Sequence, residues 1–117
     1  RSRLIWPFIH FMKKKRIDLS SPWQGFNVVP LRAASQLNRL QGLVKSKLKM
    51  INLPLLIFQG KLDQTIDPLG SVVVLEEAWS EDKELVWLDE SPHCILLGKQ
   101  FDLVCQLSLE FIRRLSH

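Results

Sequence analysis

Asp63 and His93 are the two residues whose types and spacing carry chemistry. Each follows a short apolar run: Pro54-Leu55-Leu56-Ile57-Phe58-Gln59 leads through Gly60 to Asp63, and Glu84-Leu85-Val86-Trp87-Leu88-Asp89 leads through Glu90-Ser91-Pro92 to His93. A carboxylate beside an imidazole accepts a hydrogen bond from one ring N–H, fixes the tautomer and stabilises the imidazolium when it forms. That is two-thirds of a Ser-His-acid triad. Simpler readings stand beside it. An Asp after a Gly is ordinary turn chemistry, and a single His is often a surface residue. Asp67 is a rival for the acid role, but with Pro68 behind it Asp67 also reads as a helix N-cap.

The elements around these residues must bring them together. The run at 54–59 is short, continuous and apolar, the pattern of a strand buried on both faces of a parallel sheet. The run at 84–89 reads as a second strand. Between them, Pro68 to Trp79 predicts a helix carrying Leu69, Val72, Val73, Leu75 and Trp79, although β-branched valines favour strands. A last helix spans about Lys99 to Leu115, with Phe101, Val104, Cys105, Ser108, Phe111, Ile112 and Leu115 as its buried stripe. This strand-helix-strand-helix order predicts an α/β fold with a parallel pair and a right-handed crossover. In open parallel sheets working groups sit beyond the carboxyl ends of strands. Asp63 and His93, 30 residues apart, would meet at one sheet edge. Two strands do not make a stable doubly wound sheet, so further strands are expected from elsewhere.

Upstream, Leu37, Leu40, Val44 and Leu48 share one face of a helix predicted over about Leu31 to Leu48, which Asn52 and Pro54 stop. Residues 1–30, punctuated by Pro7, Pro22, Gly25 and Pro30, predict short helices broken by turns.

Gln59-Gly60-Lys61-Leu62-Asp63-Gln64-Thr65-Ile66-Asp67-Pro68 resembles the G-x-x-D-x-x-V-x-P segment of α/β-hydrolases. Leu85 to Leu97, with Ser91-Pro92-His93 at its centre, resembles the segment that carries their histidine, usually S-G-H followed by apolar residues. The whole is similar to the carboxylesterase, monoacylglycerol lipase and serine aminopeptidase branch. That resemblance implies that Asp63 and His93 are catalytic, as triad acid and base. It implies that residues 50–117 are the C-terminal part of the α/β-hydrolase core, and that residues 1–49 are a helical cap segment preceding it. It also implies that the nucleophile serine lies upstream. None of the glycines at 25, 42, 60, 70 and 98 brackets a serine in G-x-S-x-G. Pro92 stands where the family usually has Gly, and proline fixes φ, so the loop into His93 is expected to be held differently.

Composition bounds these readings. At 117 residues, 46% hydrophobic and 24% charged, the chain is one globular domain at most, which excludes disordered, collagen-like and coiled-coil classes. The net charge of +4 hides a split: residues 1–49 carry eleven Lys/Arg against Asp18 alone, and residues 50–117 carry five Lys/Arg against eleven acids. Such halves attract each other or turn a basic face to an anionic partner. The run Lys13-Lys14-Lys15-Arg16 lacks interleaved stacking aromatics and reads as a solvated face rather than a nucleic-acid site. The aromatics Trp6, Phe8, Phe11, Trp23 and Phe26 read as cap packing, with one or two lining an acyl pocket or leaning on a lipid surface. The longest apolar stretch, Leu4 to Met12, is too short to span a membrane and precedes its basic run, unlike a signal peptide. Cys94 and Cys105 are too few for a disulfide framework, and reduced thiols fit a cytoplasmic setting. Cys94 beside His93 does not make a metal site, since zinc needs three or four ligands and His10 and His117 lie at the chain ends. Cys105 reads as core.

The expectation is therefore the second half of a serine hydrolase that cleaves carboxylic esters, including monoacylglycerol-like ones. It uses no cofactor or metal, and its partner is the N-terminal half of the same fold. The alternative is a truncated, non-catalytic hydrolase-like interaction module.

Overall fold

The computed structural model describes residues 11–13 and 28–116. Trp6, Phe8, Trp23, Phe26, His10, His117 and the basic residues 14–16 lie outside the described residues.

Strands β1 (Phe11–Lys13) and β2 (Val28–Pro30) pair antiparallel, Met12 opposite Val29. This corrects the expectation of short helices at these positions: the valines at 28 and 29 suit a strand, and Pro30 ends it. Helix α1 (Leu31–Lys47) begins directly after Pro30 and tightens into a 3₁₀ turn at Leu48–Met50. Of the four residues predicted to share one face of α1, only Leu48 is buried, while Leu37, Leu40 and Val44 are 50–56% exposed.

The remainder is the predicted alternation. Strand β3 (Leu55–Gly60) is followed by α2 (Leu69–Glu77), β4 (Lys83–Leu88), a 3₁₀ turn at Ile95–Leu97 and α3 (Phe101–Leu115). β3 and β4 are parallel neighbours, in register from Leu55 opposite Lys83 to Gly60 opposite Leu88. They end level, and so launch their following loops from one edge. Asp67 caps α2 by accepting the Leu69 N–H at 3.0 Å, and Pro68 already has helical dihedrals. Trp79 falls beyond the end of α2 and is exposed.

The core is small. Leu48, Ala78, Leu88 and Val104 are its buried apolar residues, joined by buried Gln59, Ser80 and Ser91. β3 is half-buried for most of its length and closes up only at Gln59 and Gly60. Two strands cannot cover both faces of the sheet. For the same reason, of the stripe predicted on α3 only Val104 is buried. Cys105, expected in the core, is exposed. The far end of α3 is tied to the sheet by Arg114, whose guanidinium donates to both Asp82 oxygens at 2.6 and 3.1 Å and lies over the Phe111 ring.

Candidate active site

The two loops that leave β3 and β4 are stitched together before either presents its functional side chain. The Lys61 N–H donates to the Leu88 carbonyl at 2.9 Å, and the Leu62 N–H to the Ser91 carbonyl at 3.1 Å. Lys61 and Asp89 add an ion pair at the surface. This close approach depends on Gly60. A Cβ there would lie 2.6 Å from the Pro92 carbonyl oxygen and nearer still to that of Ser91. Real Cβ atoms do not tolerate such contacts with backbone, so the glycine is required by space rather than by dihedral freedom.

The histidine loop has its own anchor. Ser91 is fully buried, and its hydroxyl donates to Gln100 Oε1 at 2.9 Å, the oxygen that also accepts the Glu90 N–H at 2.9 Å. Gln100 stands immediately before α3 and so fixes the loop to the start of that helix. Pro92 is accommodated without distortion. No described residue has a positive φ and no peptide bond among them is cis, so the loop has no left-handed position that would demand glycine.

These supports bring the two predicted residues together. Asp63 Oδ2 lies 2.9 Å from His93 Nδ1. The Asp63 side chain is only 3% exposed, whereas that of His93 is 40% exposed. Asp63 Oδ1 accepts the backbone N–H groups of Thr65 at 2.8 Å and Ile66 at 3.1 Å. Burial alone would raise the Asp63 pKa. The hydrogen bond from His93, the two backbone donors and the attraction of an imidazolium outweigh it and hold the carboxyl below its ordinary value. An ionised carboxylate can only accept, so Nδ1 carries the proton and Nε2 is left as the acceptor. Nε2 has no hydrogen-bond partner among the described residues, which suits a proton acceptor at an open edge. Asp67 is not drawn in: its carboxylate is occupied at the start of α2.

The sequence reading missed four supporting residues: Gln59, Ser71, Ser91 and Gln100. Gln59 had a legible signal, a polar amide at the end of an otherwise apolar strand. Ser91 stood in the Ser91-Pro92-His93 segment already singled out, whereas Ser71 and Gln100 had no signal, because a serine in a first helical turn and a glutamine in a loop are ordinary. Among the described residues no group of three or more His, Cys, Asp and Glu side chains is placed to hold a metal ion, and no helix is long and apolar enough to cross a membrane.

Residues 20–100 match the profile of the family described as "Serine aminopeptidase, S33". The chain is 30% identical to a carboxylesterase of Bacillus subtilis (strain 168) over 91% of its length and 43% of that protein's. It is also 30% identical to a thermostable monoacylglycerol lipase of Bacillus sp. (strain H-257), over 76% of its length and 36% of the lipase's. Among solved structures it is similar to one described with the metagenome-derived lipolytic enzymes LipS and LipT. The TM-score is 0.80 at 24% identity, covering 95% of this chain and 48% of the other. That likeness establishes a shared fold. The chain spans less than half the length of each of these relatives.

Proposed function

Because this chain belongs to the serine aminopeptidase S33 family of α/β-hydrolases, we propose that it supplies the acid and the base of a Ser-His-Asp triad that cleaves carboxylic esters. Residues 50–117 are the C-terminal part of the catalytic core, and residues 1–49, with α1, belong to the cap. The observation that carries this reading is the contact of 2.9 Å between Asp63 Oδ2 and His93 Nδ1 at the carboxyl edge of two parallel strands.

In this reading a serine on the remainder of the fold attacks the acyl carbon. His93 Nε2 takes the serine proton and returns it to the leaving alcohol, and Asp63 holds the ring in the tautomer that makes this possible. Water then releases the acyl group by the same base. The substrate class is a carboxylic ester, on the strength of the Bacillus subtilis carboxylesterase, with monoacylglycerol-like esters included on the strength of the Bacillus sp. lipase. The partner of this chain is the serine-bearing N-terminal half of the fold.

The test is to read the coding sequence upstream of Arg1, express the protein with what it encodes, and follow hydrolysis of p-nitrophenyl butyrate. An in-frame strand, G-x-S-x-G and helix are expected. His93→Ala should reduce hydrolysis to near background while the circular dichroism spectrum is unchanged. The lack of an in-frame elbow, or undiminished hydrolysis by His93→Ala, would overturn the reading. It would leave the alternative, a non-catalytic hydrolase-like interaction module.

A further inference from the structure

Asp63 is held from a side that the triad does not require. Gln59, at the end of β3, is 4% exposed. A buried amide costs free energy unless its polar atoms are paired, and here they are. Nε2 donates to the Gly60 carbonyl at 3.0 Å and faces Asp63 Oδ2 at 3.4 Å. Oε1 accepts the Ser71 hydroxyl at 2.5 Å. The amide orientation follows from its neighbours: the Gly60 carbonyl and the Asp63 carboxylate only accept, so the nitrogen must face them. Reversal would set three acceptors against one another. Ser71, in the first turn of α2, therefore locks the amide from behind.

The Asp63 carboxylate thereby has all its acceptor positions faced by donors. Thr65 and Ile66 hold Oδ1; His93 and Gln59 share Oδ2, the oxygen that meets the imidazole. At 3.4 Å the Gln59 contact is long for an N–H···O bond, so its weight is directional. It occupies the flank of Oδ2 away from His93 and opposes rotation of the carboxylate off the imidazole.

We propose that Gln59, held in orientation by Ser71, is a positioning residue for the triad acid, setting the rotation of the Asp63 carboxylate and thus the aim of His93. This inference rests on the hydrolase reading and extends it to two residues that do not touch the imidazole. Loss of the amide leaves Oδ2 with a single donor and lets the carboxylate turn, which changes the hydrogen bond that the imidazole meets. A changed partner for the imidazole alters the pH profile of the activity as well as its height. A residue that merely supports folding would lower the amount of active protein without altering that profile.

The experiment compares wild type, Gln59→Met, Ser71→Ala, Ser71→Thr and His93→Ala in the protein whose ester hydrolysis is assayed above. It also records the His93 ring nitrogens of that same protein by NMR. Gln59→Met should lower kcat about tenfold with KM little changed, the scale of one lost hydrogen bond in the transition state, and should alter the pH profile. Ser71→Ala should cost about threefold by freeing the amide to turn, and Ser71→Thr, which keeps the hydroxyl, should restore the rate. Alanine is well tolerated in a helix, so Ser71→Ala carries the test if Gln59→Met does not fold. Wild-type kcat with a superimposable pH profile in both Gln59→Met and Ser71→Ala, alongside inactive His93→Ala, would overturn the inference and leave the triad standing. Full activity of His93→Ala would sink the triad reading instead. The ring-nitrogen signals then decide the positioning claim alone: a shift in Gln59→Met upholds it, and unchanged signals overturn it.

Discussion

The Asp63 carboxylate is 3% exposed and accepts from two backbone N–H groups and an imidazole. Those donors make its ionised form the stable one. Asn at this position keeps the shape but presents an amide that no longer selects the Nδ1–H tautomer. Asp63→Asn should therefore reduce ester hydrolysis by up to about 10⁴-fold while binding is largely kept, as a kcat measurement would reveal. Asp67→Asn should leave hydrolysis nearly unchanged, because Asn caps helices as well as Asp does. A loss comparable to that of Asp63→Asn would make Asp67 the acid. The same environment sets a pH dependence. The folded pKa of Asp63 lies below the unfolded value of about 3.9. Its contribution to stability is thus present in full above that value and is lost as pH falls through the folded one. A carbon-13 titration of the Asp63 carboxyl should place its midpoint below the ordinary carboxylate range; a midpoint at or above it would contradict the hydrogen-bonded geometry.

At the scale of elements, the site depends on how closely the loop after β4 lies on the end of β3. Gly60→Ala drives a Cβ into the backbone of Ser91 and Pro92, and backbone cannot turn aside as a flexible side chain can. The cost should be about 1–3 kcal/mol or more in urea unfolding. Because the displaced segment carries His93, hydrolysis should fall further than stability alone accounts for. The second attachment is Gln100. Gln100→Ala leaves the Glu90 N–H and the buried Ser91 hydroxyl without their acceptor, a loss of about 1–3 kcal/mol. Hydrogen exchange should report it as faster exchange at Glu90 with little change along β3. Unaltered protection at Glu90 would mean that the loop is held by its backbone contacts alone.

At the scale of the molecule, the chain displays much apolar surface that its described elements do not cover. Leu37, Leu40, Leu43 and Val44 on α1 and Ile112 and Leu115 on α3 are all at least 45% exposed. A groove lined by Leu56, Val86, Leu107 and Phe111 opens between sheet and α3. The parallel sheet has two strands among the described residues, so each strand presents an unpaired edge. The 117-residue chain on its own should therefore associate, or unfold broadly and with weak cooperativity, in calorimetry and light scattering. A monomer with one sharp transition would show that the chain is a sufficient folding unit.

Much of this architecture was legible in the residues. The apolar runs before Gly60 and Glu90, the helix between them and the spacing from Asp63 to His93 determined that two loops would leave one edge of a parallel pair, because strand and helix periodicities are local properties of the chain. The capping role of Asp67 was equally local, being written in the step to Pro68. What the sequence could not determine were facts of mutual distance. Whether β3 and β4 are adjacent and how near Gly60 comes to Ser91 depend on contacts between segments far apart in the chain, and the Gln59 amide behind the Asp63 carboxylate is oriented by Ser71, 12 residues on. Burial was misjudged for the same reason. Apolar periodicity marks the face of a helix that prefers cover, as on α1 and α3, but only the tertiary structure decides whether another element is present to provide it, and here two strands are too few to do so.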